Sequence, residues 1–222
     1  MLFDLRITIP DRPGALGAVA TALSHGNANI VTLDVIEHGD GVAVDHLCVD
    51  APAGLTDALK RVALEVPEAT VEAVRPVEAF RDTLAPIELA AALASAEGDA
   101  LRLFVREAPG ALWTTWCLAY RDAGDGVEII ASSACSPQIP VLSAPWLPLR
   151  RATRLDPGDW MPPAWRMGRF TYEVAGAPLA GTNLGVLVAR RHGPRFRPSE
   201  TRALGLLADV AAAGVQAPST NR

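Results

Sequence analysis

The chain has 222 residues, 50% of them hydrophobic and 20% charged, with a formal net charge of -5 and 3 cysteines. That length is enough for one large domain or two small ones with apolar cores, and the composition excludes an intrinsically disordered chain and a disulfide scaffold. Cys48, Cys117 and Cys135 cannot all pair and follow no metal or redox spacing, so a reducing, cytoplasmic setting is expected.

No basic region precedes an apolar run at the amino terminus, and no stretch approaches the ~20 apolar residues of a membrane span, so a soluble chain with no membrane partner is expected. Up to Phe80 there are 12 acids and 5 bases, a charge of -7; the remainder has 15 bases, 13 acids, a charge of +2 and all 5 Trp. This shift predicts two domains, residues 1–80 and 86–217. Neither half has the dense basic run of a phosphate-tracking surface, so no direct nucleic-acid partner is expected.

Phe3, Leu5, Ile7 and Ile9 alternate with polar residues as a half-buried strand does. Asp11-Arg12-Pro13-Gly14 is a turn, and Ala15, Leu16, Val19, Ala20 and Leu23 then recur at helical spacing until Gly26 and Asn27. Two strands, Ile30 to Glu37 and Val42 to Asp50, flank the hairpin signal His38-Gly39-Asp40-Gly41. A helix over Gly54 to Glu65 and a strand over Thr70 to Val77 complete the order βαββαβ, with both helices on one face of the sheet. The amides of Gly14, Ala15 and Leu16 open a helix, where unpaired N–H groups and the helix dipole favour a carboxylate. Asp11 can accept from an ammonium group. The competing reading is purely architectural: Asp11 caps the helix, Pro13 supplies its fixed φ, and Asn27 ends the helix in a left-handed conformation.

Asp11-Arg12-Pro13-Gly14-Ala15-Leu16, with Asn27-Ala28-Asn29-Ile30 one helix later, resembles the ACT domain, an amino-acid-sensing module attached to many enzymes of amino-acid metabolism. The resemblance covers residues 1 to 80 and implies a ferredoxin-like α+β fold. It further implies an effector held between two chains, with the turn on one side and the Asn that opens the second strand on the other. The implied ligand residues are Asp11, Arg12, Gly14, Ala15, Leu16 and Asn29, and the implied partners are a free amino acid and a second copy of the chain. His46 and Cys48 share a strand face, but with His25 and His38 they follow no zinc spacing, and surface histidines need no ligand; no metal is expected.

Beyond residue 80, Pro86 opens a helix carrying Leu89, Ala92, Leu93 and Ala96. Asp99 is placed to cap a second helix, which Pro109-Gly110 is expected to end. Strands are predicted over Ala111 to Tyr120 and Val127 to Ser132, around the turn Asp122-Ala123-Gly124-Asp125-Gly126. From Ser136 to Trp165 the chain is rich in Pro and interleaves Trp146, Trp160 and Trp165 with Arg150, Arg151 and Arg154. Such a loop suits a cover over a second candidate pocket formed by Trp146, Arg150, Arg151, Trp160 and Trp165, with Arg for an anion and Trp for stacking. It equally suits a loop anchored on the sheet by its Trp side chains. Strands over Phe170 to Val174 and Asn183 to Arg190 precede a helix with Pro198 and Glu200 in its first turn and Leu204, Leu207, Ala208 and Ala211 inward.

Leu184-Gly185-Val186-Leu187-Val188-Ala189-Arg190, then Phe196-Arg197-Pro198-Ser199-Glu200 and the closing helix, is similar to the end of GAF domains. That implies a GAF-like α/β domain with a central antiparallel sheet, of a kind that binds small ligands or dimerises. The cyclic-nucleotide pattern N-K…F…D-E is missing, neither Cys117 nor Cys135 has the His neighbour of a bilin site, and a haem would depend on His192 alone; no cofactor is expected. No Ser, His and acid set, phosphate loop or metal cluster is visible, so the chain is not expected to be an enzyme. The expectation is a non-catalytic sensor that binds a free amino acid at an ACT dimer interface and signals to the GAF-like domain or an unidentified protein partner. The rival is a ligand-independent dimerisation or scaffold protein.

Overall fold

The computed structural model describes residues 1–52, 54–77, 82–96, 98–124, 126–139, 141–166, 172–191 and 193–216. The expected domain ends at residues 78–80 and 217, and Asp125, Phe170, Thr171 and His192, lie outside the described residues. The chain divides into two compact units, Met1–Arg81 and Asp82–Arg222.

The first unit runs β1 (Leu2–Pro10), α1 (Ala15–His25), β2 (Asn29–Gly39), β3 (Val42–Asp50), α2 (Thr56–Glu65) and β4 (Thr70–Val77). Its antiparallel sheet has the order β2-β3-β1-β4. Gly39 pairs with Val42 across a two-residue loop in which Asp40 has φ 53° and Gly41 φ 79°. Positive φ at both central residues is what lets such a short loop follow the twist of its strands. Leu5, Ile7, Leu47 and Val49 pack with Val19, Ala22 and Leu23 of α1 and Ala58 and Val62 of α2, so both helices cover one face. The helices meet closely at Gly26, where an added Cβ would fall 2.2 Å from the Cα of Ala58. Asn27 follows at φ 59°, the left-handed helix end expected of it.

The second unit begins with α3 (Ala85–Ala94) and α4 (Ala100–Ala111) and continues through β5 (Trp116–Asp122), β6 (Val127–Ser132), β7 (Val141–Leu142) and β8 (Thr153–Leu155). A 3-10 turn at Pro163–Trp165, β9 (Tyr172–Pro178), β10 (Leu184–Arg191) and α5 (Pro198–Gln216) complete it. The strands form one antiparallel sheet of order β7-β6-β5-β10-β9-β8.

Two expectations need correction here. Pro109-Gly110 does not end α4, and β5 starts at Trp116 rather than Ala111. Proline removes a single donor from the helix ladder, while the amide of Leu112 still donates to the Ala108 carbonyl at 2.8 Å and that of Thr114 donates to the Pro109 carbonyl at 3.0 Å. Burial of Ala108, Ala111 and Leu112 holds that turn in place.

The two faces of this sheet differ in side-chain size. Small residues, Cys117, Ala119, Ala175 and Ala177, line the face on which Phe104, Val105, Leu204, Leu207 and Ala211 of α4 and α5 pack. Large ones, Trp116, Leu118, Tyr120 and Leu187, line the other face and meet the long loop. Small residues let helix backbones approach, and bulky ones fill the space under a segment without regular structure.

Candidate functional site

The turn after β1 is fixed by backbone bonds. The amide of Asp11 donates to the Gly41 carbonyl at 2.9 Å, Arg12 to Pro10 at 2.9 Å and Ala15 to Arg12 at 3.2 Å. Gly14 occupies the helix N-cap at φ 88°, and an added Cβ there would have no atom within 4 Å. Asp11 does not cap the helix, since no side chain does. The amides of Gly14, Leu16 and Gly17 therefore meet no acceptor among the described residues. No acid stands in the first turn of α1, and residues Asp11 to Gly14 are exposed. The helix start is thus an open set of donors at the positive end of a dipole, while Ala15 is buried beneath it and Leu16 half-buried.

The neighbouring charges divide unevenly. Arg12 gives Nη2–H to Glu68 Oε2 at 2.6 Å, an exposed pair that draws its guanidinium toward Glu68. Asp11 has His38 Nδ1 at 4.0 Å. Asn29 opens β2 opposite Asp50, at the other end of the sheet from the turn. The 11 residues of α1 separate the two by about 16 Å, so one chain does not bring Asn29 to the turn.

Asp45 is the residue that sequence reasoning missed. It shares the helix-facing side of β3 with Leu47 and Val49, it is 2% exposed, and its buried Oδ1 has no hydrogen-bond partner. Burial, and then the charge of Asp11, push its carboxyl above the usual carboxylate range. On the opposite face Asp4 shows the contrary case. Burial alone would raise its pKa, but the hydrogen bonds and charges of His46 and Arg75 together hold it below the ordinary value. Arg75 Nη2 donates to Asp4 at 2.8 Å and His46 Nε2 contacts its other oxygen. His46, expected at the surface, is a buried partner of Asp4.

In the second unit the five expected pocket residues separate. Trp146, Trp160 and Trp165 form a continuous chain of rings on the loop face: Trp146 lies 5.4 Å from Tyr120 and 5.9 Å from Trp160, which lies 6.0 Å from Trp165. Trp165, in turn, sits 4.8 Å from Trp116 and is fully buried. These tryptophans hold the loop on the sheet and do not stack over a pocket with the arginines. Aromatic burial supplies the contact area that a Pro-rich loop lacks in backbone bonds. Arg150 and Arg151 are exposed and line a separate cavity beside α5.

The family model described as ACT domain matches residues 3–64. The first unit carries an ACT domain. Among solved structures, the chain is similar to the GAF domain of an Acinetobacter phosphoenolpyruvate-protein phosphotransferase, with 16% identity and a TM-score of 0.43 over 59% of this chain and 90% of that one. The GAF domain of a phosphoenolpyruvate-protein phosphotransferase from Coxiella burnetii gives 16% identity and a TM-score of 0.45 over 60% and 94%. An unknown protein from Galdieria sulphuraria gives 12% and 0.32 over 94% and 90%. No curated protein matches the chain. The antiparallel sheet of the second unit, with helices packed on one face, agrees with the GAF-like fold expected from its sequence. The ACT domain implies a regulatory or sensor role. No helix among the described residues is long and apolar enough to cross a membrane.

The ACT turn was legible because its signature, Asp11 to Leu16, is an unbroken run of residues with Asn27 to Ile30 one helix later. Asp45 carried no such signal, since a polar residue within a strand reads as solvent-facing unless its neighbours across the sheet are known.

Proposed function

We propose that the protein is a non-catalytic cytoplasmic sensor that binds a free amino acid at an interface between two ACT domains. The binding is felt by the GAF-like unit or by a protein partner. The observation that carries this reading is the uncapped start of α1, where the amides of Gly14, Leu16 and Gly17 meet no acceptor among the described residues and the Cβ positions of both glycines face open space. An α-amino acid would present its carboxylate to those amides and its ammonium to Asp11, with Asn29 supplied by the second chain. Asp45 supports the cationic half of that recognition, because a buried carboxylate without a donor gains from a nearby positive charge. For the ligand to act as a switch, it must bind two arrangements with different affinity.

The test is a thermal-shift screen of the common amino acids. At least one raises the melting temperature of the wild type and strengthens its dimer, and Asp11→Ala or Gly14→Val removes both effects. All five tryptophans lie beyond residue 110, so a change in their fluorescence on binding reports transmission out of the ACT domain. The rival reading is a ligand-independent pairing module. It is favoured by β2, an 11-residue edge strand with Val31 and Val35 exposed, because an uncovered edge is a template for pairing with another chain. A dimer indifferent to every amino acid and to Asp11→Ala would establish that rival.

A further inference from the structure

Helix α5 carries two stripes. Leu204, Leu207, Ala208 and Ala211 enter the core, while Arg202, Gly205, Leu206 and Asp209 recur at intervals of three and four residues on another face. That second face, the segment before β8 and the turn between β9 and β10 enclose a cavity of about 1000 Å³. Its volume is at the upper end of the range of small-molecule sites. The floor is close-packed where Gly205 meets Ala152, whose Cβ would lie 3.1 Å from a Cβ added to the glycine.

The lining has a marked charge imbalance. Arg150, Arg151, Arg154 and Arg202 stand against a single carboxylate, Asp209, in a chain whose net charge is -5. Arg154 is already paired with Asp156 and with Glu173, the latter at 3.4 Å. Arg150, Arg151 and Arg202 meet no carboxylate among the described residues. Like charges held around a concavity repel one another and focus a positive potential into it, and guanidinium groups suit planar or tetrahedral oxyanions. The same cavity has apolar walls. Leu149, Leu179 and Phe196 line it, and Leu206 is left 59% exposed on its α5 side. Asp209 stands two turns along α5 from Arg202, about 10 Å away, so the cavity has a cationic end and an end that repels anions.

We propose that this cavity binds a small amphipathic anion, an oxyanion head joined to an apolar body, with Arg150, Arg151 and Arg202 on the head and Leu206 and Phe196 on the body. The site is independent of the ACT turn.

The probe is 8-anilinonaphthalene-1-sulfonate, titrated by fluorescence into the full chain beside N-phenyl-1-naphthylamine, the same body without the sulfonate. The expected result is one saturable sulfonate site per chain, with the neutral compound at least about tenfold weaker. Arg150→Glu with Arg202→Glu weakens the sulfonate about tenfold or more. The same charge change on α4, Arg102→Glu with Arg106→Glu, leaves it in place. Equal losses in the two pairs, no saturable binding to the wild type, or equal binding of the neutral compound would each overturn the proposal. Should the reversed pair fail to fold, the wild type still decides. Raising the salt from roughly 0.05 to 0.5 M must weaken the sulfonate and spare the neutral compound, and an unchanged sulfonate affinity counts against the arginines.

Discussion

Both units bury charge, and Arg190 in one and Asp45 in the other show two opposite ways of treating it. In the GAF-like unit, Arg190 is 2% exposed, donates from Nε to the Trp113 carbonyl at 3.1 Å and from Nη2 to the Leu112 carbonyl at 3.2 Å, and lies 2.5 Å from Glu200 Oε1. Its guanidinium carbon sits 4.2 Å from the centre of the Phe196 ring. The other oxygen of Glu200 accepts the Arg197 amide at 2.9 Å, so the same carboxylate caps α5. Strand β10, the end of α4 and the start of α5 are tied at one point. In the ACT domain, Asp45 is equally buried, yet no donor reaches its Oδ1. Where donors and acceptors meet, buried charge builds the fold. Where a buried carboxylate is left without a donor, the fold tolerates a cost that a bound cation would relieve.

The largest effect that could break this contrast is at Arg190. Arg190→Met removes the cation and strands Glu200, and should cost the second unit about 3 kcal/mol. Urea denaturation followed by Trp fluorescence reads it, because every Trp lies in that unit. A loss below about 1 kcal/mol would show that Arg190 adds no more than a surface pair.

Asp4→Asn comes next, at about 2 kcal/mol, since Arg75 is partly exposed and part of its attraction is screened. The pKa of Asp4 is held below its unfolded value of about 3.9, so its contribution is present above that pH and is lost as the pH falls further. The variant should be less stable at neutral pH and lose less on acidification. Circular dichroism at pH 7 and at lower pH checks it, and an unaltered acid slope would mean that the pairing of Asp4 does not govern acid stability.

Much of this architecture was readable from local pattern, and the unreadable parts share a cause. The alternation from Phe3 to Ile9, the turn at Gly14 and the bounds of β3 and β4 are set by residues close in sequence, and they agree with the structure. The run of α4 through Pro109 is set by burial against distant elements, which overrides the local rule. In the long loop, Trp and Arg alternate along the chain but go to different places, the rings to the sheet face and the guanidinium groups to the cavity beside α5. Proximity in sequence suggested one pocket, whereas apolar burial and charge solvation sort the two residue types apart. The cavity-facing stripe of α5 does show in sequence, at positions 202, 205, 206 and 209, but only once the inward stripe is set aside. Arg190 and Glu200 are ten residues apart across a strand end, a turn and a helix start, and no periodicity joins them.

The smallest effect bears most directly on the ACT site, and it has the opposite sign. The carboxyl of Asp45 is raised above its unfolded value of about 3.9, so the protonated form is the one the fold accepts. Its favourable contribution is complete below that pH and is lost as the pH rises through the folded value. Asparagine at the same place has no charge to bury and no proton to take up, so Asp45→Asn should raise stability at pH 7 by about 1 kcal/mol. It should also flatten the pH dependence above about 4 that Asp4→Asn leaves untouched. Chemical denaturation of the two variants across pH 4 to 8 separates them. If Asp45→Asn instead destabilises the ACT domain at neutral pH, the carboxylate has found a donor and belongs with Asp4 and Arg190 as architecture. If it stabilises the domain while weakening the shift produced by an amino acid, then the same unpaired charge that costs the fold stability is what the ligand's ammonium relieves.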